Sequence, residues 1–203
     1  MHIEKNVVDN IIGTLLILDD KTKDNLKALQ DLKDMGIRSK LHLEKVGNDQ
    51  THMPHACFHL NASEMDGILQ VLKDVRVLDG YSSNISRCVK LKEHKISGMK
   101  SHDNDILMQQ LFPIAIHGSL PTKVSRSLID LSCFFRDICS KVLIVEELRA
   151  LEKRIAMTLC DLEMIFPPFF TVMVHLIIHL ASEAKVAGPV HYHWMYPIKR
   201  YHL

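Results

Sequence analysis

The chain has 203 residues, 47% of them hydrophobic and 24% charged, with a formal net charge of +1. That mixture belongs to a globular rather than a disordered chain, long enough to bury one substantial core or two small ones. The near-neutral balance also argues against a strongly basic surface of the kind that drives nonspecific DNA binding.

The elements follow from apolar spacing. Val7, Ile11, Leu15 and Leu18 place one stripe on a first helix over 7–18. Leu26, Leu29, Leu32 and Met35 mark a second over 22–35, with Gly36 as its C-terminal glycine. From Leu41 to Phe58 the periodicity decays, and Gly47-Asn48-Asp49 and Pro54 read as a loop or linker. Ser63 with Asp66 resembles a weak capping box opening a short helix through Val75. Residues 79–84 and 98–104 form turn clusters. Helical patterns then cover 106–116, 124–143 and 146–165, before Pro167-Pro168 breaks the run. A last helix over 169–185 precedes Gly188-Pro189. Strand signals are scarce, with only Val190–Trp194 ambiguous. The expected fold is all-α or predominantly α, a helical bundle-like domain with short connections.

Cys57, Cys88, Cys133, Cys139 and Cys160 are odd in number, widely spaced and without a CxxC pair, so a zinc ribbon is not expected. Cys133, Cys139 and Cys160 lie in apolar helical patterns and read as buried free thiols. With no secretory signal in the sequence, the expected setting is intracellular, nuclear or cytoplasmic. The apolar stretch from Phe169 to Ala181 is short for a bilayer span and carries two histidines, so no membrane association is expected.

Seven segments carry a resemblance. They are MHIEKNVVDNIIGTLL, KTKDNLKALQDLKDMGIR, DGYSSNISRCVKLKEHKISGMKSHDNDILMQQLFPIAIHG, CFFRDICSKVL, TLCDLEMIFPPFF, MVHLIIHL and GPVHYHWMYPIKRY. Their order and spacing resemble the plant CACTA-type (En/Spm) DNA transposases, together with the domain of unknown function (DUF4218) that follows the catalytic region. The resemblance implies residues 1–45 as the tail of a transposase catalytic region, 46–95 as a connecting segment, and 96–203 as the associated domain, truncated at its C-terminus. A helical excerpt of a transposase core would precede the bundle-like domain. Trp194, Tyr196 and Tyr201 crowd the chain end, where large amphipathic rings ordinarily need a partner surface. The chain therefore reads as an excerpt of something larger.

The resemblance also frames the chemistry. DDE-type transposases resemble ribonuclease H and gather carboxylates from separate elements around two divalent metal ions, which activate the nucleophile and stabilise the leaving oxygen. The family's first two aspartates have no counterpart in this sequence. Glu4 is one candidate for a remnant third acid; the bland reading is a first-turn glutamate favoured by the helix dipole. The other candidate position holds Lys199, after Ile198, where the family pattern has glutamate, and a lysine cannot ligate magnesium as a carboxylate does.

Ser101-His102-Asp103-Asn104-Asp105 is a second constellation, readable as a metal or polar contact or as an N-cap from Asp103 or Asn104 for a helix opening at Ile106. Relatives carry Cys then His where this chain has Asn104 and Asp105. His175 and His179 share one helix face in a zinc-competent spacing, against a reading as histidines bonded within or at the edge of the core. His191 and His193 alternate in a possible extended segment. Lys90, Lys92, Lys95 and Lys100, near Arg87 and His94, form a mild basic run that reads as a solvated face more readily than as a phosphate contact.

These readings imply a transposon-derived protein without independent catalysis, cofactor or metal, although the parent family uses divalent metal. No catalytic, metal or nucleic-acid-binding residue is assigned. DNA or a transposase-derived protein is the candidate partner, and no small-molecule substrate is identified. The alternative is a retained protein- or DNA-interaction module whose aromatic end docks on a partner.

Overall fold

The structure is a computed structural model and describes residues 2–18, 26–36, 39, 42, 44–46, 50–52, 56–76, 85–166 and 172–190. The described residues are predominantly helical, as the spacing predicts. Expectations for 79–84, Pro167-Pro168, 169–171 and 191–203, including Lys199, His191, His193 and the aromatic end, lie outside the described residues.

Helix α1 (His2–Leu15) buries Val7, Val8, Ile11, Ile12 and Leu15 along one wide stripe. It starts five residues before the predicted Val7, because apolar spacing marks the buried stretch rather than the first hydrogen-bonded turn. It also ends before the predicted Leu18. The Leu18 N–H donates to the Gly13 carbonyl at 2.9 Å and the Ile17 N–H to the Thr14 carbonyl at 3.4 Å. That pair of bonds is a Schellman motif, which requires a left-handed residue past the helix end. Ile17 occupies that position at φ 52, where a β-branched side chain is strained. Ile17→Gly should therefore raise stability by about 1 kcal/mol in urea unfolding; an unchanged or lower midpoint would show that the exposed isoleucine side chain outweighs its backbone strain.

Helix α2 (Leu26–Asp34) buries Leu29 and Leu32, and Gly36 follows at φ 67 in the expected terminal role. Met35 is exposed rather than in the apolar stripe, since the chain has already left the helix there. The stretch read as a linker contains an antiparallel hairpin, β1 (Glu44–Val46) with β2 (Gln50–His52), pairing Glu44 with His52 and Val46 with Gln50. Three-residue strands with Val46 as their one apolar residue show no apolar alternation, so their only trace in the sequence is the turn-forming tripeptide between them.

Helix α3 (Ala62–Asp74) buries Met65, Ile68, Leu69 and Leu72. Its capping box is Asn61 with Glu64, not Ser63 with Asp66. Asn61 Oδ1 accepts from the Glu64 N–H at 2.9 Å, and Glu64 Oε2 accepts from the Asn61 N–H at 2.8 Å. A short helix α4 (Ile85–Cys88) leads into β3 (Val89–Lys90), a 3-10 turn over Leu91–Glu93, and β4 (Lys95–Ile96). Lys73 Nζ fastens this unit to α3 by donating to the carbonyls of Ser86 and Val89, at 2.8 and 3.2 Å.

Residues 101–115 form one helical run: α5 (Ser101–Ile106), a π turn over Leu107–Leu111, and α6 (Phe112–Ala115). The π turn is marked by the Phe112 N–H bonding to the Leu107 carbonyl. Pro113 follows it within the helix, lacks an N–H and would press on the carbonyl four residues back. Widening the preceding turn relieves that clash.

Helix α7 (Thr122–Ile138) stops earlier than the predicted Leu143. The Ser140 hydroxyl donates to the Val142 carbonyl at 2.6 Å and holds a turn there instead. Helix α8 (Val145–Ile165) matches its predicted span closely. The predicted last helix is divided into α9 (Val172–His175) and α10 (Ile177–Ala187), with a turn at Leu176. Helix α8 packs against α7 and α10, while α1 packs against α5 and α9. Glu152 of α8 accepts hydrogen bonds from Ser182 and Lys185 of α10. One buried apolar cluster runs from Val7 through Leu69 and Leu128 to Ala184, so the described parts of 1–45, 46–95 and 96–203 contribute to the same core. Among the described residues no helix is long and apolar enough to cross a membrane.

Candidate functional site

Glu4 and Asp105 are separated by most of half the chain, yet the packing of α1 on α5 brings them together. Both are withdrawn from solvent: Glu4 retains 1% of its exposure and Asp105 5%. Glu4 lies in the first turn of α1, as the bland reading had it, and that turn holds the side chain in the core rather than at a solvated helix end. Gln109, carried inward by the π turn, donates from Nε2 to Glu4 Oε1 at 2.8 Å. The Cys139 thiol lies 4.0 Å from Glu4 Oε2.

Two carboxylates cannot hydrogen-bond each other when both are ionised, because each only accepts. Among the described residues, no N–H or O–H reaches either oxygen of Asp105 unless one acid is protonated. Burial, and then the Asp105 charge, push Glu4 up to about 8, well above its ordinary 4.5. Burial also raises Asp105, while the hydrogen bond from Glu4 and the charge of His102 draw it down. At neutral pH Glu4 is therefore protonated, and burial favours the protonated form of both acids, so the pair binds at least one proton between α1 and α5.

The neighbouring thiols are chemically quiet. Burial first, and then the Glu4 charge, push Cys139 up to about 12, so it remains a thiol at physiological pH. Burial and nearby Asp103 also raise Cys88. Neither has the lowered pKa of an activated nucleophile.

Within 101–105, capping is real but shifted in register. The helix opens at Ser101, and Asp103 accepts from the Lys100 N–H at 2.8 Å, one arm of a capping box. Asn104 is not a cap; its Nδ2 donates to the Lys100 carbonyl at 2.9 Å from inside the helix. His175 and His179 sit on the exposed surface, outside the core, with ring centroids 5.5 Å apart. No group of three His, Cys, Asp or Glu side chains able to hold a metal occurs among the described residues.

The acid pair itself does not fit a hydrated divalent cation. Magnesium retains several waters and takes carboxylates at an accessible position, whereas Glu4 and Asp105 are sealed in the core and already share a proton. Of the basic run, Arg87, Lys90 and Lys92 are exposed on the α4–β3 unit and its turn. Lys90 lies 3.6 Å from Glu93, and His94 bonds Asp66 of α3 at 2.9 Å. The sequence indicated Glu4 and Asp105 separately. It marked Cys139 only as a buried free thiol, and the one signal for Gln109 was a proline four residues later in a helical pattern.

The family profile of a domain of unknown function (DUF4218) matches residues 138–203. That interval begins at the end of α7 and includes α8, α9 and α10. Comparison with curated proteins and with solved structures yields no match.

Proposed function

We propose that this chain derives from a CACTA-type DNA transposase and works as a non-catalytic helical module, cutting no DNA by itself. The observation that carries this reading is the burial of Glu4. The acid that the resemblance offers as a remnant of the catalytic region is closed against Asp105 and Gln109, where it links two helices and faces no substrate. The DUF4218 match at 138–203 supports the associated-domain part of the reading, and the motifs in 1–45 and 79–118 support the transposase part. The module's partners would be DNA or a transposase-derived protein, in an intracellular setting.

The purified chain, incubated with magnesium or manganese, is expected to leave DNA bearing terminal inverted repeats uncut and unjoined. Metal-dependent nicking that persists in the wild-type protein and vanishes in Glu4→Gln would overturn the reading.

A further inference from the structure

We propose that His175 and His179 form a chelating site for a divalent transition metal of the zinc, nickel and copper class, which clamps α9 to α10. This goes beyond the transposase reading and is independent of it. His175 ends α9, and His179 lies in the first turn of α10. The backbone between them stays helical: Leu176 adopts φ −60 and ψ −22, and the His179 N–H bonds its carbonyl at 3.2 Å. Val174, Ile177 and Ala181 are fully buried and fix this stretch from the core side, so both rings share the outward face. The two imidazoles are exposed, and they contact each other. Among the described residues neither ring has a hydrogen bond or an ion pair, so their nitrogens are available to a ligand.

Donor type and geometry select the ligand. Imidazole nitrogens suit zinc, nickel and copper, and bind them at about 2 Å. Two rings on one ion, at a right or tetrahedral angle, then have centroids roughly 5 Å apart. The observed separation is 5.5 Å, with an interplanar angle of 76°, so small side-chain rotations close the chelate without moving either helix. Histidines at this spacing hold zinc on metalloprotease helices, where a glutamate beside the first histidine serves as general base. Leu176 stands at that position here, so the site has no base and its role is to bind. Magnesium prefers oxygen ligands, which separates this pair from a two-metal nuclease centre. No third His, Cys, Asp or Glu joins the pair among the described residues, so water would complete the coordination. Because the chelate spans the turn at Leu176, metal binding holds α9 and α10 as one helix and stabilises the fold by mass action.

The probe is nickel chloride, titrated calorimetrically into the full chain without an affinity tag. Cys160 is exposed, against the expectation of a buried thiol, and so is Cys57. A Cys57→Ser/Cys160→Ser background therefore removes competing soft ligands. One nickel per chain is expected, with a sub-millimolar dissociation constant, and magnesium should release no heat. His175→Ala and His179→Ala should each weaken binding at least tenfold. The double variant should lose little more than either single one, because removing one arm already abolishes chelation. Nickel should raise the melting temperature of the background chain and leave that of either single variant unchanged. His117→Ala, at another exposed histidine, should bind like the background. A background chain without a nickel site overturns the proposal. So does a site that survives the loss of either histidine, two losses whose effects add, or a site weakened equally by His117→Ala.

Discussion

Glu4→Gln should abolish most of the loss of stability, several kcal/mol, that the wild type undergoes between pH 5 and 9. The folded chain holds the Glu4 proton to about pH 8, while the unfolded chain releases it near 4.5. A group bound more tightly in the folded state stabilises fully below its unfolded pKa, and that contribution drains away as pH rises through the folded value. Stability therefore falls from pH 4.5 to about 8. Each tenfold change in proton affinity is worth about 1.4 kcal/mol, so the displacement amounts to several kcal/mol. Asp105, also raised by burial, acts with the same sign. Glutamine reproduces the protonated acid: its amide can donate to Asp105 while its carbonyl accepts from Gln109. The measurement is melting temperature against pH, kept below 9 so that Cys139, whose ordinary value is 9.0, does not contribute. At the alkaline end Glu4→Gln should melt roughly 10 °C above wild type. Equal melting temperatures across the range would mean that Glu4 is ionised in the fold and that the pair shares no proton.

That prediction rests on a contact the sequence signals only in pieces. Glu4 and Asp105 were each legible as candidates, one by resemblance and one within the acidic run at 101–105. Their meeting depends on how α1 crosses α5, and apolar spacing reports which face of a helix is buried, not which helix it meets. The long elements were readable for the same reason. Leu148, Leu151, Ile155, Leu159 and Leu162 define α8 to within a residue, because nothing interrupts their periodicity. The π turn was not readable, since its apolar residues still resemble an ordinary helix and only Pro113 disturbs it. The β1–β2 and β3–β4 ladders escaped because strands of two or three residues, with at most one apolar side chain each, are too short to show a period. Boundaries at Leu15 and Ile138 were overrun for a different cause. Leu18 and Leu143 still pack against the core from beyond their helices, so hydrophobic spacing continues after helical hydrogen bonding stops.

Phe58→Ala should destabilise the fold by about 3–5 kcal/mol, the range for deleting a fully buried aromatic side chain. The sequence places Phe58 at the edge of a connecting segment, where a substitution would be nearly silent. In the structure the ring is 1% exposed and packs on Phe166, with centroids 4.6 Å apart and a tilt of 33°. Phe166 terminates α8, its N–H bonding the Leu162 carbonyl at 2.7 Å. Phe58 thus joins the stretch before α3 to the end of the longest helix, and its loss would leave a cavity that neither element can fill by local adjustment. Urea unfolding should show a lower midpoint with the same slope, because the surface exposed on unfolding is nearly unchanged. Phe58→Leu, which retains most of the volume, provides a graded variant and should cost less than half as much. Val186→Ala, at a site 91% exposed, should stay within about 0.5 kcal/mol of wild type. A Phe58→Ala protein that unfolds with the Val186→Ala control would show that the segment before α3 is a tether lying on the core, and that α8 is closed by Phe166 without it.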